Sequence, residues 1–310
     1  MQFRKLIGWK AHKHIRLYEG YGNQNSVWIF GHLLSGKIPP APISKSNLWH
    51  NTKELIKRFL INPLPQSAVL IRVGETWHKA ISDETGYFEL KVTHEFKNGW
   101  QDIQAKLPDS QETVNSSVYI FSENENIVIS DIDDTFIISH STRKLKKLWL
   151  LLSRNHESRK LVDGIIPFFD KIKSTSCKDQ PFFFVSSSEW NLYEFLKSLI
   201  EFHGLPRGIF RLKRMKFSIG GAIKSNSGDH SHKFTKINNL INQLPQVKFI
   251  LVGDNAQKDP KIYTEIAKKH TGRIQEIYIN NVRTSRKEHV VEMKKELETL
   301  GIKVSWMHRV

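Results

Sequence analysis

The stretch Asn126-Ile-Val-Ile-Ser-Asp131-Ile-Asp133-Asp134-Thr135 decides how the rest of the chain reads. A β-rich apolar run stops abruptly at two carboxylates spaced i and i+2, and Thr135 follows two residues on. Strand side chains alternate between faces, so Asp131 and Asp133 leave the strand end together. Packing gains nothing from that pair. Phosphoryl transfer does, because one carboxylate can attack phosphorus while its neighbour handles the proton.

Three further elements follow in order. Phe182-Phe-Phe-Val-Ser186-Ser187-Ser188 is an apolar strand ending in hydroxyls, and His232-Lys233 precedes a helical stretch. Phe249-Ile-Leu-Val-Gly253-Asp254-Asn-Ala-Gln257-Lys-Asp259 is a second apolar strand ending in acids. Steps of 55, 47 and 21 residues, from Asp131 through Ser186 and Lys233 to Asp254, leave room for at least one strand–helix unit between elements. Strands are expected at Ile127–Ser130, Phe182–Ser186, Gly208–Leu212, Val247–Gly253 and Ile274–Asn280. Leu192, Phe195, Leu196 and Leu199 recur at helical spacing, with Gly204 closing that helix and Asp259-Pro260 opening another. Such alternation predicts an α/β unit: a parallel sheet, helices on both faces, and functional groups at the strands' carboxyl ends.

Upstream, residues from about Ser26 to Phe121 read as mostly β. Ser26–Leu34 and Ala68–Val73 are strand-like, while Leu55, Ile56, Phe59 and Leu60 fall at helical spacing before Pro63 and Pro65. Asp83-Glu-Thr-Gly86-Tyr87-Phe88 predicts a turn feeding a strand, with Gly86 taking the unusual backbone angle. This half resembles small β-sandwiches of transthyretin type. The organisation expected is a β-sandwich-like domain over 1–122, the polar linker Ser122–Asn126, and a catalytic domain over 123–310.

Composition narrows the partners. The chain of 310 residues carries a formal charge of +16, which favours a polyanion: a phosphorylated substrate, an anionic membrane face or nucleic acid. A single cysteine, Cys177, excludes a disulfide framework and any multi-cysteine zinc site. No run approaches the length of a membrane span, and the first residues lack a secretory apolar core, so a cytoplasmic protein is expected.

The ordered set Asp131, Asp133, Ser186, Lys233, Asp254 resembles the haloacid dehalogenase superfamily of phosphotransferases. The resemblance implies a Rossmann-like domain in which Asp131 forms an aspartyl phosphate. Asp133 would protonate the leaving oxygen and then activate water, and Ser186, Ser187 and Lys233 would bind the phosphoryl group. Mg²⁺ would be held by Asp131, the backbone carbonyl of Asp133, Asp254 and Asp259. Hard oxygen ligands of this kind suit that ion independently of any likeness. Asp134 and Thr135 read as supports of the turn and the nucleophile.

Longer strings are similar to the actin-patch-type phosphatidate phosphatases: Ser186-Ser-Ser-Glu-Trp-Asn-Leu-Tyr193 and Gly253-Asp-Asn-Ala-Gln-Lys-Asp-Pro-Lys-Ile-Tyr263, with Tyr18-Glu-Gly-Tyr-Gly22 and Gly31-His-Leu-Leu34 upstream. That family implies Mg²⁺-dependent release of phosphate from phosphatidate or a related lipid phosphate. The chain departs from its pattern at Glu189, read as the start of a helix where proline is usual, at Asn255-Ala256 and at Lys261. In the stretch Thr142–Arg154, Leu145, Leu148, Trp149 and Leu152 form one helical stripe among basic residues. It predicts a small cap near 139–160, which either packs on the catalytic core or lies peripherally on anionic membrane. His230 and His232 bracket Ser231 in a stretch whose upstream part, Ser218–His230, reads as a mobile loop. Their expected role is phosphate-proximal or structural. Two rival readings remain: a phosphatase of a soluble or nucleic-acid phosphate, with nucleic acid the less favoured partner, and a basic membrane- or nucleic-acid-binding protein without turnover.

Overall fold

The computed structural model describes residues 12–36, 62–137, 161–173, 179–213 and 229–307. The expected helix at Leu55–Leu60, the cap with Leu145, Leu148, Trp149 and Leu152, Cys177, and the loop from Ser218 up to Gly228 lie outside the described residues.

Among the described residues the first half is β: β1 (Lys13–Leu17), β2 (Gly20–Asn23), β3 (Ser26–Ser35), β4 (Asn62–Pro63), β5 (Ala68–Val73), β6 (Thr76–Ile81), β7 (Tyr87–Thr93), β8 (Gly99–Lys106) and β9 (Thr113–Phe121). These strands join in one nine-stranded mixed sheet. β2 runs parallel to β9, and the other pairs are antiparallel. The turn before β7 forms as its sequence predicts. Asp83 Oδ1 accepts from the backbone N–H groups of Thr85 and Tyr87, and Gly86 takes φ +73.

The second half alternates strand and helix: β10 (Asn126–Ser130), α1 (Ile165–Lys173), β11 (Phe182–Glu189), α2 (Tyr193–Phe202), β12 (Gly208–Lys213), α3 (Asp229–Gln243), β13 (Lys248–Asp254), α4 (Asp259–Lys269), β14 (Ile274–Asn280), α5 (Lys287–Glu298) and β15 (Lys303–Trp306). Its six strands lie in the order β12-β11-β10-β13-β14-β15, all parallel. Apolar runs such as Ile-Val-Ile and Phe-Ile-Leu-Val are buried along their length, as strands covered on both faces require. The order reverses beside β10, which makes the carboxyl ends of β10 and β13 the topological switch point, where open α/β sheets place their functional groups.

Alternation along β3 explains how the halves meet. Val27, Ile29 and Leu33 join a core made only from the mixed sheet, with Val69, Ile71, Phe88, Ile103, Val118 and Ile120. Trp28, Phe30 and Leu34 face the other way, into a core shared with the parallel sheet. β9 splits likewise: Val118 and Ile120 go to the first core, Tyr119 and Phe121 to the second. Across that seam Phe183 meets Tyr21 edge-on at 5.0 Å and stacks on Phe121 at 5.6 Å. Polar contacts ring the seam. The Arg207 guanidinium makes two bonds to Glu19 (3.0 and 2.8 Å) and lies 3.5 Å over the Trp100 ring.

Candidate active site

Register brings the two acid motifs together before any side chain is considered. Ser130 pairs with Phe184 on one side and Val252 on the other, and the Asp131 N–H donates to the Val252 carbonyl at 2.8 Å. Asp131 therefore emerges beside Gly253-Asp254. Asp131, Asp254 and Asp259 are buried and each offers a carboxylate oxygen, these atoms all lying within 4.8 Å of one another. Gly253 permits that closeness: a Cβ there would stand 2.4 Å from Asp259 Oδ2 and 2.9 Å from the Tyr263 hydroxyl. Tyr263 donates to the same Val252 carbonyl at 2.9 Å, fixing α4 against the end of β13.

Lys233 reaches this group, its Nζ 3.1 Å from Asp131 Oδ1 and bonded to Asp259 Oδ1. Its setting corrects the expectation that it precedes a helix. α3 already begins at Asp229, where the Gly/Ser-rich stretch ends, so Lys233 stands inside the helix and is held by regular backbone.

Asp133, also buried, points toward the end of β11. It accepts from Ser188 Oγ at 2.9 Å and from Ser186 Oγ at 3.4 Å. Between Val185 and Glu189 the register shifts, four residues of β11 running against two of β12, while Ser186 and Ser188, at i and i+2, share one face and meet one acid. Half-buried Ser187 makes no hydrogen bond to these acids among the described residues. Glu189 is the last residue of β11, in register with Lys213, and also the N-cap of the 3₁₀ turn Trp190–Leu192 that leads into α2, so it ends a strand and opens a helical stretch together. His232, half-buried on α3, lines a cavity of about 260 Å³ between the two sheets, with Tyr18, Trp190, Tyr193 and Arg211.

Three residues with no assigned role also take part. Gln257 Nε2 donates to Asp131 Oδ2 (3.3 Å), the Asp133 carbonyl (3.2 Å) and Asp254 Oδ2 (3.2 Å). Asn255 fastens the loop after β14: its Oδ1 accepts from the N–H groups of Val282 and Arg283, and its Nδ2 donates to Asn281 Oδ1 and the Arg283 carbonyl. Asn280 Nδ2 donates to the Asp134 carbonyl at 2.8 Å. Asp134 itself sits at φ +61, and Thr135 Oγ1 lies 3.4 Å from Asp131 Oδ2. A lone glutamine or asparagine between stronger motifs carries no period or pairing signal, so the sequence hides these contacts.

The electrostatics follow from crowding. Burial raises the Asp131 carboxyl well above the usual carboxylate range; Lys233 pulls it back, and Asp259, Asp254 and Asp133 push it further up. Asp254 is pushed up to about 7, first by burial and then by Asp259. Burial works against the charge on Lys233, but Asp131 and Asp259 outweigh it and hold the ammonium well above its ordinary pKa. Three buried carboxylates against one ammonium, with a backbone carbonyl alongside, make a hard-oxygen donor set. Such a set fits Mg²⁺, whose charge would relieve the repulsion that raises these pKa values.

Residues 126–281, half of the chain, match the family described as phosphatidate phosphatase APP1, catalytic domain. The chain belongs to that family. The matched stretch runs from the start of β10 to just past β14 and holds Asp131, Asp133, Ser186, Ser187, Ser188, Lys233, Asp254 and Asp259. Phosphatidate phosphatase APP1 of Saccharomyces cerevisiae is 30% identical over 152 residues, covering 49% of this chain and 25% of that protein. An uncharacterized protein of Schizosaccharomyces pombe is 26% identical over 210 residues, covering 64% of this chain and 33% of its own length. The chain thus spans a quarter to a third of the length of these two relatives. Among solved structures, a carbohydrate acetylesterase from Xanthomonas citri aligns over 96% of this chain and 69% of its own at 9% identity, with a TM-score of 0.35, too distant to bear on the APP1-type site.

Proposed function

We propose that the chain is a Mg²⁺-dependent phosphatase of haloacid dehalogenase type, acting on phosphatidate or a related lipid phosphate monoester. The observation that carries this is the convergence of Asp131, Lys233, Asp254 and Asp259 at the carboxyl ends of two adjacent parallel strands, inside the stretch shared with the APP1 family.

In this reading Asp131 attacks phosphorus, the ester P–O bond breaks, and the departing alcohol takes a proton from Asp133. Water, giving its proton to Asp133, then attacks the aspartyl phosphate, releasing inorganic phosphate and restoring the Asp131 carboxylate. Lys233 places a fixed charge beside the nucleophile, where the phosphoryl oxygens must be balanced. Ser186 and Ser188 aim Asp133, and Ser186 with Ser187 would bind the phosphoryl group. Asp131, the Asp133 carbonyl and Asp254 would hold Mg²⁺, with Asp259 completing the acidic group. When bound, the ion supplies charge neutralisation for the clustered carboxylates and the phosphate.

Among the described residues no helix is long and apolar enough to cross a membrane, which suits an enzyme meeting lipid at its surface. The +16 charge would equally welcome a nucleic-acid phosphate. A panel of phosphatidate, lysophosphatidate, a diphosphorylated lipid and a 3′-phosphorylated oligonucleotide, each with Mg²⁺, decides between them. Phosphate release confined to the lipids is expected. Release from the oligonucleotide alone would overturn the lipid assignment.

A further inference from the structure

The Gln257 side chain occupies the centre of the oxygen cluster. One amide nitrogen lies 3.2–3.3 Å from Asp131 Oδ2, the Asp133 carbonyl and Asp254 Oδ2. These three oxygens are the ones the proposed function gives to Mg²⁺, so the inference rests on that reading. An NH₂ group has two hydrogens, and three acceptors at this range share them in long, divided bonds. The amide acts as a neutral donor where a positive charge is wanted.

Its backbone cannot step aside. The Gln257 N–H donates to Asp254 Oδ1 at 2.9 Å and the Ala256 N–H to the same oxygen at 2.6 Å. From outside, Arg286 Nη1 donates to the carbonyls of Ala256 (2.7 Å) and Gln257 (3.3 Å). The turn is therefore pinned on two sides, and the freedom left is in the side chain. The last torsion of a glutamine is soft and nearly two-fold, so the amide can turn over in place at little cost. Turning exchanges a donor nitrogen for an acceptor oxygen at one position.

We propose that Gln257 belongs to the metal site through both ends of its amide: its NH₂ bridges the acids, and its Oε1, turned over, faces the cation and adds a neutral oxygen. Asp131, Asp133 and Asp254 alone fit an ordinary acid cluster. A group that can either donate to these oxygens or join them explains why a glutamine, with both polarities on one group, stands here.

The test is Mg²⁺ binding to metal-free protein by calorimetry, with thermal unfolding in EDTA and in Mg²⁺ alongside. Gln257→Met keeps the length and removes both polar atoms. It should weaken Mg²⁺ binding by roughly 10-fold or more, the range found when groups supporting metal ligands are lost. Gln257→Glu supplies the oxygen without the donor. It should bind Mg²⁺ at least as tightly as wild type, while melting lower than wild type in EDTA. Unchanged or tighter Mg²⁺ binding by Gln257→Met would overturn the proposal, the first pointing to a structural role and the second to a simple plug. Weakened binding by Gln257→Glu would overturn it too. If wild-type protein binds no Mg²⁺ at all, the metal-site reading beneath it falls instead.

Discussion

At the scale of single residues, the site depends on a close approach that only glycine allows. A methyl group on Gly253 would meet Asp259 Oδ2 at 2.4 Å, and Asp259 is held from both sides, by Lys233 and by the Asp254 N–H at 3.2 Å. Gly253→Ala should therefore destabilise the protein by about 1–3 kcal/mol, the usual cost of overpacking, visible as a lower urea midpoint. An unchanged midpoint would mean that the acids can shift freely. Ser188 offers a second test, because its 2.9 Å bond aims Asp133. Ser188→Ala should lower kcat about 10-fold, the equivalent of one hydrogen bond of about 1.4 kcal/mol, with little change in KM. A rise in KM alone would instead make Ser188 a substrate contact. The sequence singled out Asp131, Asp133 and Asp254 because acids at the ends of apolar runs have no packing explanation, and Lys233 because the ordered set resembles a phosphotransferase pattern. It did not single out Ser188 over Ser187, although Ser186 and Ser188 stand at i and i+2 and alternation along β11 puts that pair on one face.

At the scale of elements, the parallel strands were legible and their surroundings less so. β10, β11 and β13 carry continuous apolar runs, the mark of strands buried on both faces, whereas β14 is interrupted by Gln275 and Glu276; each of the four lies within a few residues of its expected bounds. β15 was not foreseen. Lys303-Val-Ser-Trp306 is an edge strand with only Val304 and its neighbours tucked in, too short and too polar to stand out. The start of α3 was set too late because Asp229, His230 and Ser231 are weak helix formers, and their place is decided by the fold around them. The substitution at Asn255, a departure from the family pattern, has an account in its four bonds to the loop at 281–283. Asn255→Ala strands two backbone N–H groups and should cost about 2 kcal/mol. Hydrogen exchange at Val282 and Arg283 should quicken more than in β13. Equal protection in variant and wild type would show that the loop is held elsewhere.

At the scale of the whole molecule, the decisive feature is the shared core. Two domains, 1–122 and 123–310, were expected, and Tyr18, Tyr21, Trp28, Phe30, Tyr119 and Phe121 of the first pack in one cluster with the strands that carry the acids. The pairing of β2 with β9 and the facing of β3 toward two cores depend on contacts far apart in sequence, which local periodicity does not encode. A shared core of this kind couples the halves. Thermal unfolding should show one transition, and Phe183→Ala, at the seam with Tyr21 and Phe121, should lower the stability of both together by about 3–5 kcal/mol. Two separated transitions in the wild type would show that the mixed sheet folds independently.

The most direct measurement is phosphate release from phosphatidate by the purified protein and its Asp131→Asn variant, in Mg²⁺ and in EDTA, with circular dichroism recorded on both proteins. The account predicts release by wild type in Mg²⁺ that EDTA abolishes, and a fall on the order of 10³-fold or more in the variant at unchanged secondary structure. A folded Asp131→Asn protein that still releases phosphate at a rate near wild type would contradict it.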